Sequence, residues 1–273
     1  MSNSYSISLP KKIVGLTSIV VGTSFALICP TIAATLELGL LIDGSGSISS
    51  SDFALQLGAY EAVFASGSFY DDFVVPSPYD NINVAVWQFS DLVTLEIPFT
   101  TISSNADADT FGNQFTFAQD GGFTNTGGAI QAATAAFDYS SEKQTIDIST
   151  DGVPTTGPDP FAAADDFIAA GGDAINAIGV GSVDLDVLND IVRPQPSGGD
   201  DGFVLTADDF GQFEAALVTK LEQEIIVDPE PPVDPEPPVD PEPPVVPEPT
   251  TVLGLFALST FGGSSLLRRK QIV

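Results

Sequence analysis

An α/β domain built on a doubly wound, mostly parallel sheet, with one antiparallel edge strand and helices on both faces, is the fold class this chain predicts. Three observations carry that expectation. Between residues 35 and 226 short apolar runs alternate with amphipathic stretches, the pattern of strands feeding crossover helices. The first run, 36–42, is apolar almost without interruption and ends at Asp43, as a strand buried on both faces requires. One pair of runs, 83–89 and 93–99, is joined only across Ser90 and Asp91, a hairpin connection too short for a parallel crossover.

The elements follow in order. Any of Ser49, Ser50 or Ser51 can cap a helix in which Phe53, Leu57, Tyr60 and Phe64 recur at helical spacing. The stretch from 66 to 81 is longer than a compact helix-to-strand link and has no evident element. After the hairpin, helical periodicity covers about 106–117 and 128–137. A strand is expected at 146–150, although Asp147 and Ser149 interrupt it, then a helix at 161–170 and a strand at 174–180. A short strand at 203–205 and a closing helix at 208–225, with Phe210, Phe213, Leu217 and Leu221 on one face, complete the domain. Asp184, Asp186 and Asp190 read as a solvated face, because they lack the glycine and terminal glutamate of an EF-hand loop.

Composition excludes whole classes of chemistry. The 273 residues hold no histidine and one cysteine, so no Ser-His-Asp or Cys-His triad and no His/Cys zinc site can form. A net charge of −29 argues against nucleic acid, whose phosphates need lysine and arginine. Only Lys143, Arg193 and Lys220 lie between residues 35 and 245, against 36 acids. The remaining cations cluster at the two ends, each beside an apolar run.

Those ends read as addresses. Lys11-Lys12, the apolar run 13–29 and the small residues up to Ala34 have the layout of a secretory signal peptide over residues 1–34; a retained anchor is the alternative. From Val227 the motif Val-Asp-Pro-Glu-Pro-Pro occurs three times. Its prolines favour polyproline II, so residues 227–245 should form a semi-rigid stalk of ~55 Å at ~3.1 Å per residue. Pro247-Glu248-Pro249, an uncharged segment at 250–267 just long enough to span a bilayer, and Arg268-Arg269-Lys270 come last. In that order they resemble the PEP-CTERM sorting signal over 246–273. The resemblance implies an exosortase-type processing protease and export in a Gram-negative-type bacterium. The protein would then belong to the envelope, surface or extracellular matrix, transiently anchored in the membrane by its last segment.

The chemistry concentrates where open α/β sheets bind ligands, beyond the carboxyl ends of the strands. Asp43-Gly44-Ser45-Gly46-Ser47 follows the first strand, Thr124-Asn125-Thr126-Gly127-Gly128 opens a helix, and Asp151-Gly152 ends the strand at 146–150. A carboxylate and two hydroxyls at alternate positions of a tight loop suit a hard divalent cation, best Mg²⁺, with Mn²⁺ or Ca²⁺ as alternatives. The order and spacing of these loops resemble a von Willebrand factor A domain of a bacterial, secreted kind. The stretches 84–91 and 176–181 support the likeness, which covers nearly all of 35–226. That resemblance implies a metal-ion-dependent adhesion site made by Asp43, Ser45, Ser47, Thr124 and Asp151, the two aspartates reaching the metal partly through water. It selects Thr124 over Thr126, which the residues alone leave open.

The expected function is a non-enzymatic binding module. One coordination position of the metal would be completed by a carboxylate of a protein partner or of an acidic polysaccharide. A matrix component whose metal only stabilises the fold is the structural alternative. Metal-assisted hydrolysis is a weaker one, since no histidine exists and both site acids are committed to the metal.

Overall fold

The computed structural model describes residues 34–194 and 202–226. The strands are β1 (Thr35–Asp43), β2 (Asn81–Phe89), β3 (Val93–Ile102), β4 (Lys143–Thr150), β5 (Ala174–Val180) and β6 (Val204–Ala207). The helices are α1 (Ser50–Phe64), α2 (Asn105–Gly112), α3 (Thr126–Ala136), α4 (Pro160–Ala170), α5 (Leu185–Ile191) and α6 (Phe213–Ile225). One six-stranded sheet runs in the order β3-β2-β1-β4-β5-β6. Every neighbouring pair is parallel except the β2–β3 hairpin. The chain builds outward from β1 to β2 and β3, then returns to lay β4, β5 and β6 on the other side. The order therefore reverses between β1 and β4, which places a crevice at their carboxyl ends.

Period-two alternation sorts the β1 side chains between two layers. Leu36, Leu38, Leu40 and Ile42 enter a phenylalanine-rich layer with α1, α2 and α6, where Tyr60 stacks on Phe115 at 5.2 Å between ring centroids. Leu41 enters the second layer with Ala129, Ile130, Ala133, Ala163, Ala164 and Phe167 of α3 and α4. Small residues on these two helices let them approach the sheet, and each is capped by its own loop: Asn125 Oδ1 accepts from Gly128 N–H, and Asp159 from Phe161 N–H.

The same alternation explains the polar interruptions of β4. Ile146 and Ile148 face the second layer, so Asp147 and Ser149 face the first. Ser149 Oγ there accepts from Gln56 Nε2 at 2.8 Å and from Tyr60 Oη at 3.3 Å, both on α1. Asp147 pairs with Lys220 of α6 at 2.7 Å, and Lys220 also pairs with Glu224. All three of those charged side chains are fully buried.

Some elements differ from the sequence expectation. The helix expected at 106–117 stops at Gly112, where an added Cβ would meet Ala65 N at 2.6 Å. Phe115 and Phe117 beyond it are non-helical: Phe115 is buried on Tyr60, and Phe117 is half-buried against Phe53. The closing helix starts at Phe213 rather than Asp208, and β3 runs on to Ile102. Residues 66–81 hold a π-helical turn, Tyr70–Val74, that buries Phe73 and Val74. The acidic stretch at 184–190 is headed by an unexpected helix, α5, which Asp184 caps through the Asp186 and Val187 N–H groups. Those three acids are solvent-exposed all the same. Among the described residues no helix is long and apolar enough to cross a membrane. The signal peptide, the stalk and the span expected at 250–267 lie outside the described residues.

Candidate metal centre

Three loops meet at the β1/β4 crevice. The first runs from Asp43 to Ser49, where Ser49 caps α1 by accepting from Asp52 N–H. Asp43 is fully buried at the end of β1. Its Oδ1 accepts from Ser45 N–H at 2.8 Å and its Oδ2 from Thr150 Oγ1 at 2.5 Å, so both oxygens are oriented by the protein. Ser45 Oγ and Ser47 Oγ lie 2.9 Å apart, and Ser47 Oγ donates to Asp151 Oδ1 at 2.7 Å. Four of the five expected ligand residues thus form one continuous string of oxygens. Thr124 joins from the second loop: a Cβ placed on Gly152 would sit 3.8 Å from Thr124 Oγ1 and 3.6 Å from Ser47 Oγ. Thr126 is the buried first residue of α3.

Contacts that the sequence reading missed hold the loops together. Gly46 N–H donates to Gly122 O and Gly121 N–H to Gly44 O, each at 2.9 Å. Gln119 Nε2 donates to Ser45 O and Ile48 O at 3.0 and 2.8 Å. Gln88, buried in β2, accepts from Asp120 N–H and donates to Ala118 O and Glu96 Oε1. Gly44 is required by this packing, since an added Cβ would lie 2.0 Å from Gln88 Oε1. The third loop is fastened to the second by Thr124 N–H donating to Thr155 Oγ1 and Thr155 N–H to Thr124 O, both at 2.9 Å. Gln88 left a faint sequence signal as an amide inside an apolar run; Gln119 and Thr155 left none, because their partners are distant in the chain.

The electrostatics fit a cation. Burial pushes the Asp43 carboxyl up to about 6, despite hydrogen bonds from Thr150 and Ser45 that pull it down. No lysine or arginine among the described residues offsets that charge. Lys143 stands opposite Leu36 at the far end of the sheet, Arg193 pairs with Asp165 at 2.7 Å, and Lys220 is held inside the domain. Hydroxyl and carboxylate oxygens without nitrogen or sulfur are the donor set of a hard dication. The cluster has two carboxylates at its centre, and among the described residues no three His, Cys, Asp or Glu side chains are grouped so that they alone could hold a metal ion. Any ion here depends on the hydroxyls as much as on the acids.

The sheet order and the helices around it give the fold of von Willebrand factor A domains. The chain belongs to the family described as "Protein of unknown function (DUF1194)", whose model matches residues 33–229, and residues 245–270 match the PEP-CTERM protein-sorting motif. No curated protein matches the chain in sequence. Among solved structures it is similar to proximal thread matrix protein 1 from the mussel byssus, with zinc in that protein's MIDAS motif. The identity is 21%, the TM-score 0.53, and the match covers 71% of this chain and 48% of that one. It is also similar to the pilus adhesin SpaC of Lactobacillus rhamnosus GG (14% identity, TM-score 0.54, covering 71% and 31%). A third is the von Willebrand factor type A protein of Catenulispora acidiphila (18% identity, TM-score 0.51, covering 71% and 42%). This chain spans less than half the length of each. At such identities the likeness establishes the fold.

Proposed function

We propose that the domain is an exported, metal-dependent binding module, in which Asp43, Ser45, Ser47, Thr124 and Asp151 hold a divalent cation, Mg²⁺ first among the candidates. The observation that carries the reading is the string of oriented oxygens around a buried carboxylate that has no cationic partner among the described residues. A bound dication would supply an open coordination position for an anionic oxygen of a partner. Asp43 stays fixed by Ser45 and Thr150, Ser45 and Ser47 present hydroxyl oxygens, and Asp151 closes the opposite side. The zinc-holding MIDAS motif of the mussel protein supports a divalent ion at such a place in this fold.

Binding rather than catalysis is favoured by the side chains present. The sequence has no histidine, and the two site carboxylates are both committed to the oxygen string, so neither is free to act as a general base. A metal that serves only to stabilise the fold is disfavoured, because the loops are already fastened to one another by protein groups. The PEP-CTERM motif supports processing by an exosortase-type protease and a place in the cell envelope or matrix.

The test is calorimetric titration of the chelator-stripped protein with Mg²⁺, Mn²⁺ and Ca²⁺, beside Asp151→Ala. Saturable one-site binding that the substitution removes is the expected result. Binding that survives it, or none with any of the three ions, defeats the reading.

A further inference from the structure

Under α6, away from the metal centre, three reactive side chains are packed into the interior. Lys220 Nζ lies 2.7 Å from Asp147 Oδ1 and 2.5 Å from Glu224 Oε1, and all three side chains are fully buried. Asn176 Nδ2 donates to the same Glu224 oxygen at 2.8 Å, and the ring of Phe203 stands 5.8 Å from Nζ. The approach of Nζ to Asp147 is short but is not aligned as a hydrogen bond: both Asp147 oxygens, and Glu224 Oε2, lack a donor. With a C–O bond of ~1.2 Å, Nζ and the Asp147 Cγ are at most ~4 Å apart. Reacting atoms in a near-attack geometry stand ~3–3.5 Å apart.

Separate charges are a costly arrangement here. Two carboxylates share one ammonium, and desolvation pushes both acids up against the pull of Lys220, Glu224 to about 7. A low dielectric favours a neutral amine beside a neutral carboxyl over the ion pair. That amine is a nucleophile and that carboxyl an electrophile. Glu224, which keeps its proton close to neutrality, is placed to act as acid and base between them.

We propose that Lys220 and Asp147 join in an intramolecular isopeptide bond, closed by Glu224, that ties α6 covalently to β4. The inference is independent of the metal reading. Lys220 first passes one proton to Asp147. The Nζ lone pair then forms the bond to Cγ, the carbonyl electron pair moves to oxygen, and Glu224 gives that oxygen its proton. Glu224 next takes a proton from the bonded Nζ, which restores it. Collapse breaks one Cγ–O bond: one hydroxyl leaves as water with the proton of the other, and the amide carbonyl remains. One ammonium and one carboxylate have become one amide and one water, with no oxidant or cofactor. The structure shows the three side chains before closure, when they hold α6 as separate charges.

The bond would do what a disulfide cannot, since one cysteine excludes an internal disulfide. Helix α6 is the last described element, and the PEP-CTERM match at 245–270 lies beyond it. A pull on that end of the chain therefore enters the domain at α6. The tie passes it to β4, which is paired on both sides, with β1 and β5.

The test is a tryptic digest of the denatured whole chain, read by mass spectrometry. Between residues 35 and 245 trypsin has sites at Lys143 and Lys220 alone, because Pro194 follows Arg193. An acylated Lys220 is not cut. The expected product therefore starts at Gln144, continues past Lys220 and is one water lighter than its sequence, with fragmentation placing the branch between Asp147 and Lys220. Glu224→Gln, which can keep the Asn176 contact, should stay folded by circular dichroism and close the bond about a hundredfold more slowly, leaving Lys220 open to trypsin. Complete cutting after Lys220 in native protein that was folded before denaturation, with no water lost, overturns the proposal. Equal closure in Glu224→Gln overturns the role given to Glu224.

Discussion

At Asp43 a burial cost and an orienting pair of hydrogen bonds meet in one side chain, and the neighbouring hydroxyls share the result. If the oxygen string holds an ion, saturating Mg²⁺ at about 100 times its dissociation constant stabilises the folded chain by about 2.7 kcal/mol. Thermal melting with and without Mg²⁺ should show that gain in the native protein and none in Asp151→Ala. The two threonines separate in the same assay. Thr124→Ala, whose Oγ1 lies beside the Gly152 cradle, should weaken Mg²⁺ binding about tenfold. Thr126→Ala, a buried helix-start residue, should lower the melting temperature and leave the Mg²⁺ increment intact. The Asp-Gly-Ser-Gly-Ser string was legible in the sequence because the chemistry is local: a tight turn needs glycine, and alternate positions share a side. The fastening by Gln119 and Thr155 was not, because neither side chain says anything of a partner 74 or 31 residues away.

Helix α6 is fastened to the sheet by charge as well as by Phe213, Leu217 and Leu221. Two buried carboxylates share one ammonium, and burial raises both, Asp147 and Glu224, the latter to about 7. Asn176 Nδ2 donates to Glu224 Oε1 at 2.8 Å, while Glu224 Oε2 and both Asp147 oxygens lack a hydrogen-bond donor of good geometry. Removing one partner of such a group costs about 3–5 kcal/mol because it strands the others. Lys220→Met should therefore lower the urea midpoint sharply. The triple change Asp147→Asn, Lys220→Met, Glu224→Gln should recover most of the loss. Glu224 also sets a pH dependence. Its folded pKa lies above its ordinary 4.5, so the native state binds the proton more tightly than the unfolded chain. Its contribution is fully present below about 4.5 and is lost as pH rises to about 7. The urea midpoint should fall across that window, and Glu224→Gln should flatten the fall. Here the sequence registered Asp147 and Ser149 as misfits in a buried strand. Their partners on α6 and α1 could be found only once the strand's two faces were assigned. Helix α5 leaves no periodic signal in the sequence, because seven residues give too short a period against an acidic background.

Over the whole molecule the dominant quantity is the net charge of −29. Two of the three cations between residues 35 and 245 are used inside the domain, by Lys220 in its triad and by Arg193 with Asp165. The surface is left almost wholly anionic and self-repelling. Raising NaCl from 10 to 500 mM shortens the screening length from about 30 Å to a few ångströms. Circular-dichroism melts should register a gain of about 1 kcal/mol, or roughly 2–4 °C for a domain of this size. The fold class was readable because apolar runs and connection lengths are properties of the chain itself, and so was the crevice where the strand order reverses. The surface character was readable only as a total; where its acids gather, as at the cleft lined by Asp52, Asp151, Asp208 and Asp209, depends on which strand tips lie side by side. The loops at that rim are stitched to each other by glycine backbone and glutamine amides before any ion arrives. On the proposed reading an ion is a guest in a finished socket, able to come and go without the chain unravelling. Attachment would then be switched off by removing the dication and restored by returning it, over and over, with the same molecules.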